Sequence, residues 1–345
     1  MVKVTVFGAG GWGTALASIL SEKHENVVLY VRNAEFAADM RRDRINSRYL
    51  PGVALPENLQ ISDKLEQAVA DTELLVLATP SHGVRAAARS FSALLPKDCV
   101  VVSASKGLEV DTCLRMTEIL AQEIPTIGGR LAVISGPNHA EEVGARMPGA
   151  SVVGCSDHVL AEYVQDVFMT PNFRIYANSD VAGVELAGAL KNVIALAVGI
   201  AEGLGFGDNS KAALMTRGLA EIARLGAACG ADAATFSGLS GVGDLIATCT
   251  SQHSRNRRAG IEIAKGRRID EIQADSGMVV EGVRSTAAAW KLSRQKNVDM
   301  PITESLHQVL QNELSPHSAV LELMTRSKKH ETEEVAFPSP TGKRG

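Results

Sequence analysis

Residues 2–20 read VKVTVFGAGGWGTALASIL. VKVTVF is an apolar, β-branched run of strand type, and TALASIL has the spacing of a helix. Between them Gly8, Gly10 and Gly13 fall in the pattern G-x-G-x-x-G. Where a strand turns sharply into a helix, the first glycine allows the turn, the second lets the backbone approach a pyrophosphate, and the third lets the helix pack on its strand. The helix N-terminus then offers free N–H groups and a positive dipole end to phosphates. The motif therefore predicts a dinucleotide cradle, and a plain glycine turn is the weaker alternative because strand and helix both stand in place. Trp12 is read as packing at the turn or lining the cofactor path.

The second strand, NVVLYV, ends in Arg32 and Asn33, where an NAD-selective site places a carboxylate for the ribose 2′-hydroxyl. A guanidinium there can pair with a 2′-phosphate, so NADPH/NADP is expected to be accepted alongside NADH/NAD. The alternative is a solvated arginine.

Strand-type runs then alternate with helix-period segments as far as Tyr176: ELLVLA, CVVVSA, RLAVIS, ASVVGC and FRIY follow the first two. Such alternation predicts an α/β fold with a doubly wound, mainly parallel Rossmann-type sheet over residues 1–178. Three runs end in turn-prone triplets, Thr79-Pro80-Ser81, Ser105-Lys106-Gly107 and Ser135-Gly136-Pro137, at the strand ends where such sheets bind ligands. From 179 to 325 the pattern turns to long Ala-, Leu- and Gly-rich helical stretches, which predicts a second, all-helical domain for substrate and catalysis. Asn178 or Ser179 is placed to cap its first helix. Residues 326–345 are polar, end in PSPTGKRG, and are expected to form a loose tail.

The chain has 345 residues, 45% hydrophobic and 21% charged, which is enough for two cores. A formal net charge of −4 gives no global positive field for nucleic acid or an anionic membrane surface. Five widely spaced cysteines, with no CxxC pair, argue against a disulfide framework or a zinc site and for a reducing, cytoplasmic setting. No export signal is read at the N-terminus. The longest apolar stretch, Leu186 to Ala201, is short for a bilayer span and carries Lys191 near its middle, so no membrane insertion is expected.

Lys191 is the only charge between Glu185 and Glu202. An enclosed lysine is costly to desolvate unless an anion or ligand compensates it, which makes it a candidate proton-transfer group; the alternative is a buried stem with its head in solvent or on a structural carboxylate. Further on, LSGVGDLIATCTSQHSRNRRAG sets Asp244 in a glycine-rich turn, followed by Ser254, Arg255 and Asn256 where a helix is expected to start. Asp244 can accept from Lys191 or a substrate hydroxyl, and the other three offer donors to a phosphate. Arg257 and Arg258 are read as a solvated basic face.

With these motifs the sequence resembles the bacterial NAD(P)-dependent glycerol-3-phosphate dehydrogenases from Val2 to about Leu323. GAGGWGTALA, SKGLE (105–109), SGPNHAEEV (135–143), ELAGALKNVIALAVGIAEGLGFGDNSKAALMTRGLAE (185–221), GLSGVGDLIATCTS (238–251), HSRNRRAG (253–260) and VEGVRST (280–286) are similar to that family in order and spacing. The resemblance implies a cofactor site of Gly11, Trp12, Arg32, Lys106, Ala140, Arg255, Val279 and Glu281. It implies contacts to dihydroxyacetone phosphate or sn-glycerol 3-phosphate from Lys106, Gly136, Asn138, Lys191, Asp244, Ser254, Arg255 and Asn256. Lys191 would be the proton acceptor. A cytoplasmic homodimer serving phospholipid synthesis is implied as well. Gly11 and Asn138 stand where relatives often carry Ser, or Ser and Thr, so side-chain contacts are not carried over there; His139 is read as packing or polar lining. Two rival readings are a keto-acid or hydroxyisobutyrate-type reductase, which needs no HSRN anchor, and a cofactor-sensing regulator, which needs no buried lysine.

Overall fold

The computed structural model describes residues 2–276 and 279–327; the stretch read as a loose tail, 326–345, lies outside the described residues except for Arg326 and Ser327. The chain divides into two compact units, one of residues 1–106 and 114–181, the other of residues 107–113 and 182 onward.

The first unit runs β1 (Val4–Phe7), α1 (Gly11–Leu20), β2 (Val27–Tyr30), α2 (Ala34–Asp43), β3 (Ile45–Asn46), β4 (Leu50–Ala54), β5 (Gln60–Ser62), α3 (Leu65–Val69), β6 (Leu74–Leu77), α4 (Val84–Phe91), β7 (Val100–Ser103), α5 (Met116–Glu123), β8 (Leu131–Ser135), α6 (Ala140–Gly144), β9 (Gly149–Gly154), α7 (His158–Phe168) and β10 (Phe173–Asn178). Eight strands form one sheet in the order β10-β9-β8-β7-β6-β1-β2-β5. Each of β1, β2, β6 and β7 is buried at every position, as strands covered on both faces must be. Residues of alternate register feed two cores, Val4, Val6, Val76 and Val102 on one face, Phe7, Leu75, Leu77 and Val101 on the other. The sheet is thus doubly wound, and its direction of winding reverses between β1 and β6, the switch point where such folds bind ligands.

All seven strand-type runs form strands, but three elements carried too little signal. The short hairpin β3–β4 contains Pro51 and Gly52 and is mostly exposed, and β5 has three residues. β9 pairs antiparallel with β8, whereas the other ladders of the large sheet are parallel. The connection between them carries only the five-residue α6, not the long crossover a parallel pair requires.

The second unit is helical: α8 (Val181–Gly203), α9 (Asp208–Ala228), α10 (Asp244–Thr250), α11 (Arg255–Ala264), α12 (Ile269–Ser276), α13 (Glu281–Lys296), α14 (Pro301–Leu310) and α15 (Pro316–Met324). The excursion 107–113 joins it through Leu108 and Cys113, which sit in the helical core. α8 is long and apolar enough to cross a membrane by length and composition, yet its most apolar window is wholly buried, and it forms the axis of this core. Against it α11 approaches to backbone contact. A Cβ at Gly199 would lie 2.1 Å from the Arg257 carbonyl oxygen, and one at Gly260 2.3 Å from that of Leu196. Elsewhere the fully buried Glu221 of α9 accepts hydrogen bonds from the Ile302 N–H (2.6 Å), the Thr303 N–H (3.2 Å) and the Thr303 hydroxyl (3.1 Å), so a carboxyl from one helix caps the start of another.

Because neither helix can retreat without opening the core, Gly260→Ala should destabilise the protein by about 1–3 kcal/mol, measured by urea unfolding. Burial raises the Glu221 carboxyl from its ordinary 4.5 to about 7, against the pull of the two backbone N–H groups. Between those values the folded chain holds a proton that the unfolded chain releases, so this group's contribution to stability declines as pH rises from about 4.5 to 7 and is flat above. Glu221→Gln should remove that component of the slope in unfolding free energy measured from pH 4.5 to 8.

Candidate active site

The nucleotide cradle lies at the carboxyl ends of the sheet strands. Gly8 adopts φ +116°, and a Cβ there would meet the Ala78 carbonyl oxygen at 2.7 Å, so the turns after β1 and β6 touch at a position only glycine fills. A Cβ on Gly13 would fall 1.9 Å from the Gly8 carbonyl oxygen, whereas the space beside Gly10 is open. α1 begins at Gly11 with no side-chain cap, leaving its first N–H groups aimed at that space. This cradle fits a dinucleotide pyrophosphate. Gly11 itself faces the Tyr49 carbonyl oxygen at 2.6 Å from a built Cβ, and Ala140 at 3.5 Å, which explains why this chain has no side chain there. Trp12 packs against the first core with its ring edge-on to Phe173 at 6.4 Å. Arg32 is exposed just beyond β2, and Asn33 caps α2 by accepting from the Phe36 N–H at 2.7 Å.

At the ends of β7 and β8 the Lys106 ammonium donates to the Gly136 carbonyl (2.9 Å) and to Asn138 Oδ1 (2.8 Å). Asn138 in turn donates to Ser151 Oγ at 2.9 Å. Gly136 needs φ +138° and sits 2.9 Å, at a built Cβ, from the Ser151 Cα. Asn138 therefore orients the lysine through its amide oxygen. His139 immediately precedes α6, whose first residue is Ala140.

On the helical unit, Lys191 projects from the middle of α8 with only 6% of its surface exposed. Its ammonium donates to Asp244 Oδ1 and to Thr248 Oγ1 (2.5 Å), and Thr248 also reaches Asp244 at 3.3 Å. Asp244 and Thr248 are 1% and 4% exposed. The carboxylate arrives there because α10 starts at Asp244 directly after a wide helical turn, Leu239–Gly243, in which a Cβ on Gly241 would strike the Phe236 carbonyl oxygen at 2.0 Å. Burial pushes the neighbouring Cys249 thiol up to about 12, against the pull of Lys191, so it stays neutral beside this cluster.

At the start of α11 Ser254 is the N-cap, its hydroxyl oxygen accepting from the Arg257 N–H at 3.2 Å. Arg255 is exposed and donates to the Val279 carbonyl at 3.4 Å. The buried Asn256 donates to Asn192 Oδ1 and accepts from the Gly282 N–H, each at 2.9 Å, so it ties α8, α11 and the first turn of α13 together. Glu281, partly buried, opens α13 beside it.

One expectation fails here. Arg257 is no part of a solvated face: its guanidinium grips both oxygens of Glu202 from the end of α8, 15% exposed, while Arg258 alone stays in solvent. Two residues missed by the sequence reading belong with the lysine. Thr248 lies four residues after Asp244 on one helix face, and Asn192 is the polar neighbour of Lys191 in an otherwise apolar stretch.

A nucleotide cradle on a doubly wound sheet and a carboxylate-held lysine on a helical unit define the class of nicotinamide-dependent dehydrogenases built from two such units. The family model described as the NAD-dependent glycerol-3-phosphate dehydrogenase N-terminus matches residues 3–161, and the one described as its C-terminus matches residues 180–321. The chain belongs to the NAD-dependent glycerol-3-phosphate dehydrogenase family. It is 53% identical over 336 residues to a glycerol-3-phosphate dehydrogenase [NAD(P)+] of Pelotomaculum thermopropionicum, covering 97% of this chain and 96% of the relative. Its fold matches the crystal structure of glycerol-3-phosphate dehydrogenase from Coxiella burnetii with a TM-score of 0.89 at 34% identity, covering 94% and 99% of the two chains. A ketopantoate reductase from Ralstonia eutropha gives 0.58 at 15% identity over 92% of this chain and 100% of that one, a likeness of fold alone.

Thr248→Val keeps the shape of the side chain and removes the hydroxyl that Lys191 and Asp244 share. It should lower kcat by about tenfold with little change in the KM for the nucleotide, read by steady-state kinetics; an unchanged kcat would leave Thr248 a packing residue.

Proposed function

We infer that this chain interconverts dihydroxyacetone phosphate and sn-glycerol 3-phosphate with NAD(P)H, and that it thereby supplies the glycerophosphate backbone of phospholipids. The observation that carries the reading is the buried ammonium of Lys191, held by Asp244 and Thr248 on a helix in backbone contact with the one that presents Ser254, Arg255 and Asn256. A phosphate-bearing hydroxyketone needs both features, a proton donor for its carbonyl and an anchor for its phosphate. The relatives' names support the choice of substrate.

When bound, the nicotinamide supplies or takes up hydride at C2. Gly8, Gly10, Gly11 and Gly13 hold its pyrophosphate, Arg32 the adenosine ribose end, and Trp12, Lys106, Ala140, Arg255, Val279 and Glu281 complete the cofactor contacts. During reduction Lys191, as ammonium, gives its proton to the C2 oxygen as negative charge develops there; in the reverse direction the neutral amine removes the hydroxyl proton. Asp244 and Thr248 fix the lysine and accept from a substrate hydroxyl. Ser254, Arg255 and Asn256 bind the phosphate, with Lys106, Gly136 and Asn138 at the other end of the substrate, so that remote binding energy aligns C2. We further assign residues 1–178 to cofactor binding and 179–325 to substrate and catalysis, as a cytoplasmic homodimer; the unpaired state of all five cysteines is in keeping with that compartment.

Following NADPH absorbance with and without dihydroxyacetone phosphate tests the reading, with ketopantoate as a control. Consumption only with the phosphate substrate supports it; turnover of the keto acid alone, or of neither, overturns it. Lys191→Met should reduce kcat by a factor of at least about 10² and leave NADPH binding nearly intact, and a near-normal kcat would remove Lys191 from the chemistry.

A further inference from the structure

The hairpin β3–β4 is the least regular part of the sheet unit, yet it is anchored on the glycine turn. Asn46, fully buried, donates to the Ala9 carbonyl at 3.0 Å and to Thr14 Oγ1 at 2.7 Å, and accepts from the Tyr49 N–H at 2.9 Å. The Tyr49 carbonyl fills the space that Gly11 leaves. From this anchor the Tyr49 ring packs edge-on against Phe36, in the first turn of α2, at 5.8 Å and 86°. The Arg48 guanidinium lies over the Tyr49 ring, 5.1 Å from its centroid. Through Phe36 these ring contacts reach the first turn of α2, the helix that follows Arg32.

Charge singles out the same two arginines. Between residues 32 and 48, Arg41 pairs with Asp63, Arg42 with Asp39 and Asp43, and Arg44 donates to the carbonyls of Pro56 and Leu59. Among the described residues Arg32 and Arg48 have neither an ion pair nor a hydrogen bond for their guanidinium groups, and both are exposed. The positions directly after β2 are Val31, Arg32, Asn33 and Ala34, with no carboxylate to bind two ribose hydroxyls. Two uncompensated guanidiniums on this rim suit a dianionic phosphomonoester, because each can donate paired, charge-assisted hydrogen bonds.

We propose that Arg48 is a specificity-determining residue, which together with Arg32 clamps the 2′-phosphate of NADP(H). This rests on the reading of Gly8–Gly13 as the nucleotide cradle. The cation–π contact and the Asn46 anchor hold the guanidinium in place before the nucleotide arrives, so less side-chain freedom is lost on binding than for a free arginine.

The test compares Arg48→Gln, Arg32→Gln and the parent enzyme in two ways: kcat/KM with NADPH and with NADH, and competitive inhibition by adenosine 2′,5′-bisphosphate and by adenosine 5′-monophosphate, which differ only in the 2′-phosphate. Thermal melting confirms that each variant is folded. Arg48→Gln should lower the NADPH-to-NADH ratio by about tenfold or more and weaken the bisphosphate selectively. A ratio unchanged in Arg48→Gln but lowered in Arg32→Gln overturns the proposal and leaves the cradle intact. Losses in step for both cofactors and both probes also overturn it, since they would put Arg48 on the shared pyrophosphate or in the hairpin's own fold. If the parent enzyme is inhibited by neither probe, the underlying nucleotide reading fails with it.

Discussion

An ammonium cannot be taken into a protein interior without a partner, and the helical unit is arranged around satisfying one. Left alone, the Lys191 charge would cost several kcal/mol in desolvation. Asp244 and Thr248 answer that cost, and to reach the lysine α10 must begin where it does, after a widened turn that only Gly241 allows against the Phe236 backbone. Phe236 in turn fills the space left by Gly226 on α9, where a Cβ would lie 2.1 Å from its ring. The apolar environment that makes the charge expensive also keeps the adjacent Cys249 thiol protonated, against the pull of Lys191.

The same unit uses glycine to set distances. Gly199 and Gly260 bring α8 and α11 so close that their backbones touch, and Asn256 bonds across that contact to Asn192, the residue after the lysine. Lys191 and the Ser254–Asn256 stretch are thereby carried on two rods fixed to each other, with the ion pair of Arg257 and Glu202 closing the far end. In the function proposed above, a substrate gripped by its phosphate would meet the ammonium in a geometry set by helix packing.

Much of this was legible in the sequence because the decisive signals are local. The glycine turn is fixed by six consecutive residues between a strand and a helix, and Lys191 stands out as the only charge between Glu185 and Glu202 in a long apolar stretch. What was not legible depends on partners distant in the chain. Arg257 and Arg258 read together as a basic surface until Glu202, 55 residues before Arg257, is seen to hold it. A threonine at position 248 carries no mark until Asp244 is known to face inward, since only then does the fourth residue on share its side of the helix. The hairpin β3–β4, interrupted by Pro51 and Gly52 and largely solvated, lacks the apolar alternation that betrays a strand, although it supplies the backbone that closes over Gly11.

The excursion of residues 107–113 into the helical core bears on how the protein comes to be made. Leu108 and Cys113 leave the ribosome well ahead of the helices that cover them, while the sheet strands on either side already have neighbours to pair with. A nascent chain halted at the end of β10 would carry a greasy loop with nothing to cover it, and one begun at α8 would have a hole in its interior. The gene therefore cannot be cut between strands and helices to yield two self-sufficient halves, however cleanly the pattern of strands and helices divides.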